Sequence, residues 1–127
     1  MAQYADIIEI VAPAQAAPGD RVDVTVRIRN TYSGAIGIMV GGALEYGVTP
    51  WPGIDFPENS ANVDGGATYS FSGYFYMPDK KVTIHVYSYW YGSDGYWYFD
   101  DEMTKVVNLT ALTPQVSEFR ILDFSKV

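Results

Sequence analysis

The stretch from Arg21 to Arg29 alternates polar and apolar side chains without interruption. Its even positions carry valine or isoleucine, and its odd positions carry arginine, aspartate or threonine. Because successive side chains of a β-strand point to opposite faces of the sheet, this period of two predicts an antiparallel strand with one buried and one solvated face. No segment of the chain has the apolar spacing that is typical of an amphipathic helix.

Further strands are predicted along the chain, separated by turns rich in glycine, proline, asparagine and aspartate. They lie at residues 6–11, 35–46, 67–77 and 82–109, the last range being a hairpin with an irregularity near Asp100-Asp101-Glu102. The pair Gly41-Gly42 predicts a break within the second range. Residues 49–60, which contain three prolines, predict a long and stiffened loop that packs against the domain.

This pattern predicts an all-β fold. About seven to nine short strands with regular turn signals indicate an antiparallel, immunoglobulin-like β-sandwich. We expect the sandwich to occupy residues 1–112, because Thr113-Pro114 ends the regular part of the sequence. Residues 113–127 are expected to form a strand-like C-terminal extension.

The order of the turn motifs is similar to that of known modules. A first strand precedes Ala17-Pro18-Gly19-Asp20, the run Val22–Ile28 follows, and Asp64-Gly65-Gly66-Ala67 precedes an aromatic strand. Across residues 5–110 this order resembles immunoglobulin-like adhesion modules of the CARDB type and immunoglobulin-like domains of phage virions. The resemblance implies a sandwich that serves adhesion or virion structure. It does not imply antibody-like function, because the chain has no cysteine.

Residues 82–99 carry the densest aromatic signal in the chain. Tyr, Trp and Phe occupy eight of these eighteen positions and lie on both sides of a Gly92-Ser93-Asp94-Gly95 turn, which predicts a β-hairpin with more rings than one buried face can hold. Alternation with Val82, Ile84 and Val86 places Trp90 on the core side and the neighbouring tyrosines on the outside.

The outward tyrosines are therefore the candidate interaction residues of the sandwich. They are Tyr74, Tyr76, Tyr87, Tyr89, Tyr91 and Tyr96. If their strands are neighbours in one sheet, they form a single tyrosine-rich face. Such a face could be a subunit interface, a platform for sugar rings, or a set of cross-strand pairs that only stiffens the sheet, and these alternatives stay open.

The C-terminal segment 116–127 supplies a second set of candidates. Its apolar residues Phe119, Ile121 and Phe124 need a surface to cover them. The segment could fold back on its own domain, add as a strand to the sheet edge of a neighbouring copy, or open a further module. Addition to a neighbour would produce a head-to-tail array.

His85, the only histidine, offers little catalytic chemistry. A metal site would want further nitrogen or sulfur ligands, and a Ser-His-Asp triad would need a nucleophile on a strained turn. We expect a surface histidine or one packed among aromatic rings. Asp94, Asp100, Asp101 and Glu102 could offer oxygen ligands to Ca²⁺, but the EF-hand spacing is absent, and we expect solvated acids that keep the sheet edge soluble.

The composition narrows the choice of partners. A formal net charge of -7 disfavours nucleic acid and anionic lipid. No apolar run approaches the ~18 residues of a membrane span, and Met1–Glu9 has no basic region typical of a signal peptide. We expect no enzyme, no catalytic residue, no metal and no cofactor.

The leading functional hypothesis is a structural subunit that binds copies of itself or another structural protein, in a virion or at an extracellular surface. The alternative is a glycan-binding module that uses the exposed tyrosines.

Overall fold

The computed structural model describes residues 2–110. Eight strands lie within this range: β1 (Ala5–Val11), β2 (Gln15–Ala16), β3 (Arg21–Asn30), β4 (Ile36–Glu45), β5 (Ser60–Val63), β6 (Thr68–Tyr76), β7 (Val82–Tyr91) and β8 (Trp97–Leu109). The described residues include no helix of the length and apolarity needed to cross a membrane. The C-terminal extension predicted at 113–127, with Phe119, Ile121 and Phe124, lies outside the described residues.

The strands form two sheets that pack face to face. One sheet has three strands in the order β1-β3-β6, and the other has five in the order β2-β8-β7-β4-β5. This distribution is that of an immunoglobulin-like sandwich, so the predicted fold class is confirmed. One pairing departs from the antiparallel pattern, because the short strand β2 runs parallel to β8.

The side chains of β3 alternate between the buried and the solvated face, as the sequence predicts. Its four apolar side chains are fully buried, and its register with β6 is regular from Arg21 opposite Tyr76 to Arg29 opposite Thr68. The inner face of the other sheet supplies the facing half of the core. The residues that carry most of it are Ile38, Val40, Leu44, Val82, Ile84, Val86 and Val107.

The prediction of a break at Gly41-Gly42 is wrong, because β4 continues from Ile36 to Glu45 without interruption. Gly42 instead serves the approach of the loop that follows. A Cβ atom at Gly42 would lie 2.8 Å from Cδ1 of Ile54, and one at Gly73 of β6 would lie 2.6 Å from Cδ1 of Phe56. The two glycines therefore leave room for the side chains of Ile54 and Phe56, which are buried. The loop thus packs against the domain, as predicted.

A β-bulge interrupts the pairing of β7 with β8. Ser88 pairs with Asp101 and Tyr89 pairs with Phe99, so Asp100 is the extra residue. A one-residue insertion reverses the faces of all following side chains. Beyond the bulge, Trp97 and Phe99 therefore point away from the core, although the odd-numbered residue Val107 of the same strand points into it.

The bulge also holds the N-terminal strand. The carboxylate of Asp100 accepts hydrogen bonds from the backbone nitrogens of Gln3, Tyr4 and Ala5, and that of Asp101 accepts one from Ile7. The expectation that these two acids are merely solvated is therefore wrong. The two carboxylates accept hydrogen bonds from backbone nitrogens of β1 and the residues before it, at the edge of the three-stranded sheet.

Candidate functional site

The outer side of the five-stranded sheet carries a continuous group of aromatic side chains. We call it the aromatic face and define it as Tyr87, Tyr89 and Tyr91 of β7 with Trp97 and Phe99 of β8. Tyr89 pairs with Phe99 and Tyr91 pairs with Trp97 across the two strands. The ring centroids of these pairs are 5.8 Å and 5.0 Å apart, with edge-to-face inclinations, which is a favourable geometry for aromatic contact.

Much of the aromatic face is open to solvent. Phe99 is 58% exposed, Tyr91 46% and Trp97 39%, whereas Tyr87 and Tyr89 are half-buried. Large apolar side chains grouped in this way are uncommon on an isolated soluble domain and mark interaction surfaces. Partial burial and the nearby charge of Glu102 raise the pKa of Tyr87, so its hydroxyl stays protonated at neutral pH.

Glycines of strand β4 leave room beside these rings. The outward positions of β4 include Gly41, which pairs with Tyr87, and Gly37, which lies next to Tyr91 and Trp97. A Cβ atom at Gly37 would lie 3.4 Å from the indole of Trp97, and one at Gly41 would lie 3.7 Å from the ring of Tyr89. Because β4 has no side chain at these two positions, its backbone leaves room for the rings of Trp97 and Tyr89. The side chain of Met39 lies between the two glycines, opposite Tyr89.

A shallow groove borders the aromatic face above Gly37. Tyr91 and Trp97 line one side of it, and Ser60 and Asn62 of β5 line the other. The groove thus combines apolar ring surfaces with hydroxyl and amide groups.

At the opposite end of the face, His85 of β7 lies between two carboxylates. Its Nε2 is 2.8 Å from Oε1 of Glu45 on β4, and its Nδ1 is 3.1 Å from Oε2 of Glu102 on β8. The indole of Trp51 stacks on the imidazole, with centroids 4.5 Å apart and planes inclined by 27°. Of the two alternatives expected for His85, a surface position or packing among aromatic rings, the structure shows aromatic packing, with Trp51 as the partner.

The predicted tyrosines do not share one surface. Tyr74 and Tyr76 lie on β6 of the three-stranded sheet, on the far side of the molecule from Tyr87, Tyr89 and Tyr91. The prediction of a single tyrosine-rich face, which required β6 and β7 to be neighbours in one sheet, is therefore wrong. Tyr74 packs instead over the guanidinium of Arg21, 4.1 Å from its ring centroid.

The remaining predicted tyrosine, Tyr96, lies in the hairpin turn and is exposed. Its neighbour Tyr98 points to the other side of the sheet, where its ring stacks on Trp90 at 4.9 Å and its hydroxyl donates to Asp94. This hydrogen bond lowers the pKa of Asp94 and raises that of Tyr98. Trp90 is half-buried against the core, as its parity predicts.

Three residues of the site were not among the predicted candidates. Trp97 and Phe99 belong to the aromatic face, and Trp51 covers His85. The side of the sheet on which Trp97 and Phe99 lie depends on the bulge at Asp100, so alternation alone could not assign it. Trp51 lies in a loop, where periodicity gives no signal.

Within residues 2–110, no group of three or more histidine, aspartate and glutamate side chains is placed to hold a metal ion. The four acids near the hairpin are dispersed: Asp100 and Asp101 hold the N-terminal strand, Glu102 contacts His85, and Asp94 stays in the turn. The side chains of the aromatic face and of His85 offer aromatic packing and hydrogen bonding.

Comparison with known proteins supports the fold. No family model matches the chain, and no curated protein matches its sequence. Among solved structures, an Escherichia coli alpha-2-macroglobulin fragment superposes with a TM-score of 0.64 at 14% identity, over 90% of this chain and 18% of the other. A Pseudomonas fluorescens alkylpurine DNA glycosylase superposes with a TM-score of 0.61 at 14% identity, over 85% of this chain and 31% of the other.

The sporulation control protein Spo0M of Bacillus subtilis is a third similar structure, with a TM-score of 0.53 at 16% identity, over 85% of this chain and 50% of the other. The chain thus spans half or less of each of these proteins. At such low identity the likeness shows a shared β-sandwich and nothing of function.

Proposed function

We propose that this chain is a non-enzymatic structural domain that self-associates through the aromatic face, as a subunit of a virion or of an extracellular assembly. The observation that carries the proposal is the solvent-exposed group of contacting rings on β7 and β8. Aromatic side chains are enriched at protein interfaces because they bury a large area at a small cost in conformational entropy.

The shape of the face favours a second copy of the chain as the partner. Gly37 and Gly41 place no side chain in front of the rings of Trp97 and Tyr89, so these rings are accessible to the same rings of another copy. Two identical patches related by a two-fold axis satisfy each other fully, which is the commonest symmetry of protein dimers. The C-terminal segment 113–127, with its apolar residues, is proposed to provide a second contact between copies.

Sedimentation velocity at several concentrations tests this proposal. The wild type is expected to exceed its monomer mass of 14.1 kDa. Phe99→Ser is expected to weaken association by about tenfold or more, as for a central interface aromatic. Tyr76→Ser is the matched control, because Tyr76 is similarly exposed but lies on the other sheet. A wild type that stays monomeric at all concentrations, or equal effects of the two variants, would overturn the proposal.

A glycan-binding function is the second candidate, and the groove above Gly37 favours it. Tyr91 and Trp97 could stack on a sugar ring while Ser60 and Asn62 form hydrogen bonds with its hydroxyls. Titration with oligosaccharides should then change the tryptophan fluorescence of the wild type, and Asn62→Ala should abolish the change. Self-association predicts no such response, and Asn62→Ala should leave the mass in solution unaltered.

A further inference from the structure

The contacts of His85 determine how many protons its ring carries. Both ring nitrogens lie within hydrogen-bonding distance of carboxylate oxygens, at 2.8 Å from Glu45 and 3.1 Å from Glu102. An ionised carboxylate can only accept hydrogen bonds, so both nitrogens must donate. Only the imidazolium has two N–H groups. With both carboxylates ionised, the arrangement is the one that the protonated ring satisfies in full.

Loss of the proton would disrupt this arrangement. A neutral imidazole keeps one N–H, and its other nitrogen would present a lone pair to a carboxylate. One of the two glutamates would then have to turn away. The local charge would change as well, because two carboxylates with one imidazolium carry one net negative charge and two carboxylates with a neutral ring carry two.

The surroundings of His85 favour the proton. Partial burial by itself would lower the pKa of His85, but the hydrogen bonds and charges of Glu45 and Glu102 outweigh burial and raise the pKa above the ordinary value of 6.5. The groups that face the ring are Glu45 from β4, Glu102 from β8, the adjacent Tyr87 of β7 and the uncharged indole of Trp51 from the loop.

Trp51 connects this proton to the shape of the surface. Its indole lies over the imidazole with nearly parallel planes, and an aromatic ring attracts a cation placed over its face. The residues before it, from Gly47 to Pro50, are exposed, and the backbone is next anchored by the hydrogen bond from Leu44 to the carbonyl of Pro52. Stacking on His85 is the aromatic contact that the Trp51 side chain makes with the sheet.

We propose that Glu45, His85, Glu102 and Trp51 form a proton-operated latch at the edge of the aromatic face. When His85 is protonated, the latch holds Trp51 down on the sheet and reduces the negative charge beside the face. When the proton leaves, Trp51 is released and the face gains negative charge, which opposes the approach of a second copy of this acidic chain. The effect of the latch on association rests on the proposed self-association, whereas the latch itself does not.

The latch can be tested by NMR, because the chain has one histidine and its ring signals need no assignment among others. In the full-length protein, the ring should titrate above its ordinary pKa of 6.5. The ring-current shift that Trp51 causes should diminish as the proton leaves. In the double variant Glu45→Gln and Glu102→Gln, the titration should move down to the ordinary value or below it.

Glu58→Gln is the control, because Glu58 is an exposed glutamate outside this cluster. It should leave the titration of His85 unchanged, and Trp51→Ala should abolish the ring-current shift. A wild-type ring that titrates at or below its ordinary value, or a double variant that titrates like the wild type, would show that the latch does not exist.

Sedimentation between pH 5 and pH 9 tests the coupling to association. The association constant of the wild type should fall about fivefold as His85 loses its proton, the size expected for two like charges at short range in water. His85→Gln should remove this dependence. A latch that titrates as expected in a chain that is monomeric at every pH would overturn the proposed self-association and leave the latch standing. A pH dependence that persists in His85→Gln would overturn the coupling.

Discussion

The carboxylate oxygen Oδ2 of Asp100 lies 2.6 Å from the backbone nitrogen of Ala5, although the two residues are 95 positions apart in the chain. Ala5 begins β1 in the three-stranded sheet, and Asp100 is the bulge residue of β8 in the five-stranded sheet. This hydrogen bond therefore fastens the first strand of one sheet to the last described strand of the other.

Asp100→Ala should destabilise the fold. It would leave the backbone nitrogens of Gln3, Tyr4 and Ala5 without their acceptor, and an unsatisfied, partly buried donor costs about 1–3 kcal/mol. We expect the free energy of unfolding to fall by about 2–3 kcal/mol in urea denaturation. Asp79→Ala, at an exposed turn position, is the matched control and should change the stability by less than about 0.5 kcal/mol. Equal stabilities of the two variants would contradict the role of Asp100.

Gly73→Ala should also destabilise the fold, because the new methyl group would overlap Phe56 and the carbonyl of Asp55. Overpacking of this kind costs about 1–3 kcal/mol. Gly41→Ala offers a control on another strand, since a Cβ atom there makes an ordinary contact of 3.7 Å with Tyr89. Thermal unfolding of both variants would check the prediction, and a larger loss for Gly41→Ala would contradict it.

Protonation of His85 should make stability depend on pH. The folded state raises its pKa above 6.5, so the folded state binds the proton more tightly than the unfolded state does. The stabilising contribution is fully present below pH 6.5 and is lost as the pH rises through the folded pKa. Measured as the difference in unfolding free energy between wild type and His85→Gln, it should decrease from pH 5 to pH 9. A difference that stays constant or grows would contradict the raised pKa.

Deletion of residues 114–127 tests the proposed second contact between copies. If the C-terminal segment adds to a neighbouring copy, the truncated chain should have a lower mass by light scattering at the same concentration. The spectrum of the β-sandwich by circular dichroism should be retained, because the eight strands described within residues 2–110 end by Leu109. A truncated chain with the oligomeric state of the full chain would exclude docking on a neighbour.

The sequence predicted the sandwich because its signals are local. Alternation in Val22–Ile28 and the Gly92–Gly95 turn depend on neighbouring residues only, and both features are present in the structure. The short strands β2 and β5 were not predicted, because two to four residues are too few to show a period. Their positions depend on the strands beside them.

The composition of the site was harder to predict, and the bulge explains why. The sequence predicted an irregularity near Asp100 but not the number of inserted residues. That number determines whether Trp97 and Phe99 face the core or the solvent. The placement of β6 and β7 in different sheets likewise follows from long-range topology. Alternation within β6 places Tyr74 and Tyr76 on the outer side, but it cannot tell which sheet that side belongs to.

The parallel pairing of β2 with β8 has a mechanical consequence. The backbone nitrogens of Asn108 and Thr110 donate to the carbonyls of Ala14 and Ala16, and the chain leaves this pair in opposite directions. A force that pulls the two ends of the described chain apart would load these bonds together in shear, instead of opening them one after another as in a peeled hairpin. In single-molecule extension, the rupture force should be higher when the chain is pulled by its two ends than when one of the two attachment points lies in the β7–β8 hairpin turn.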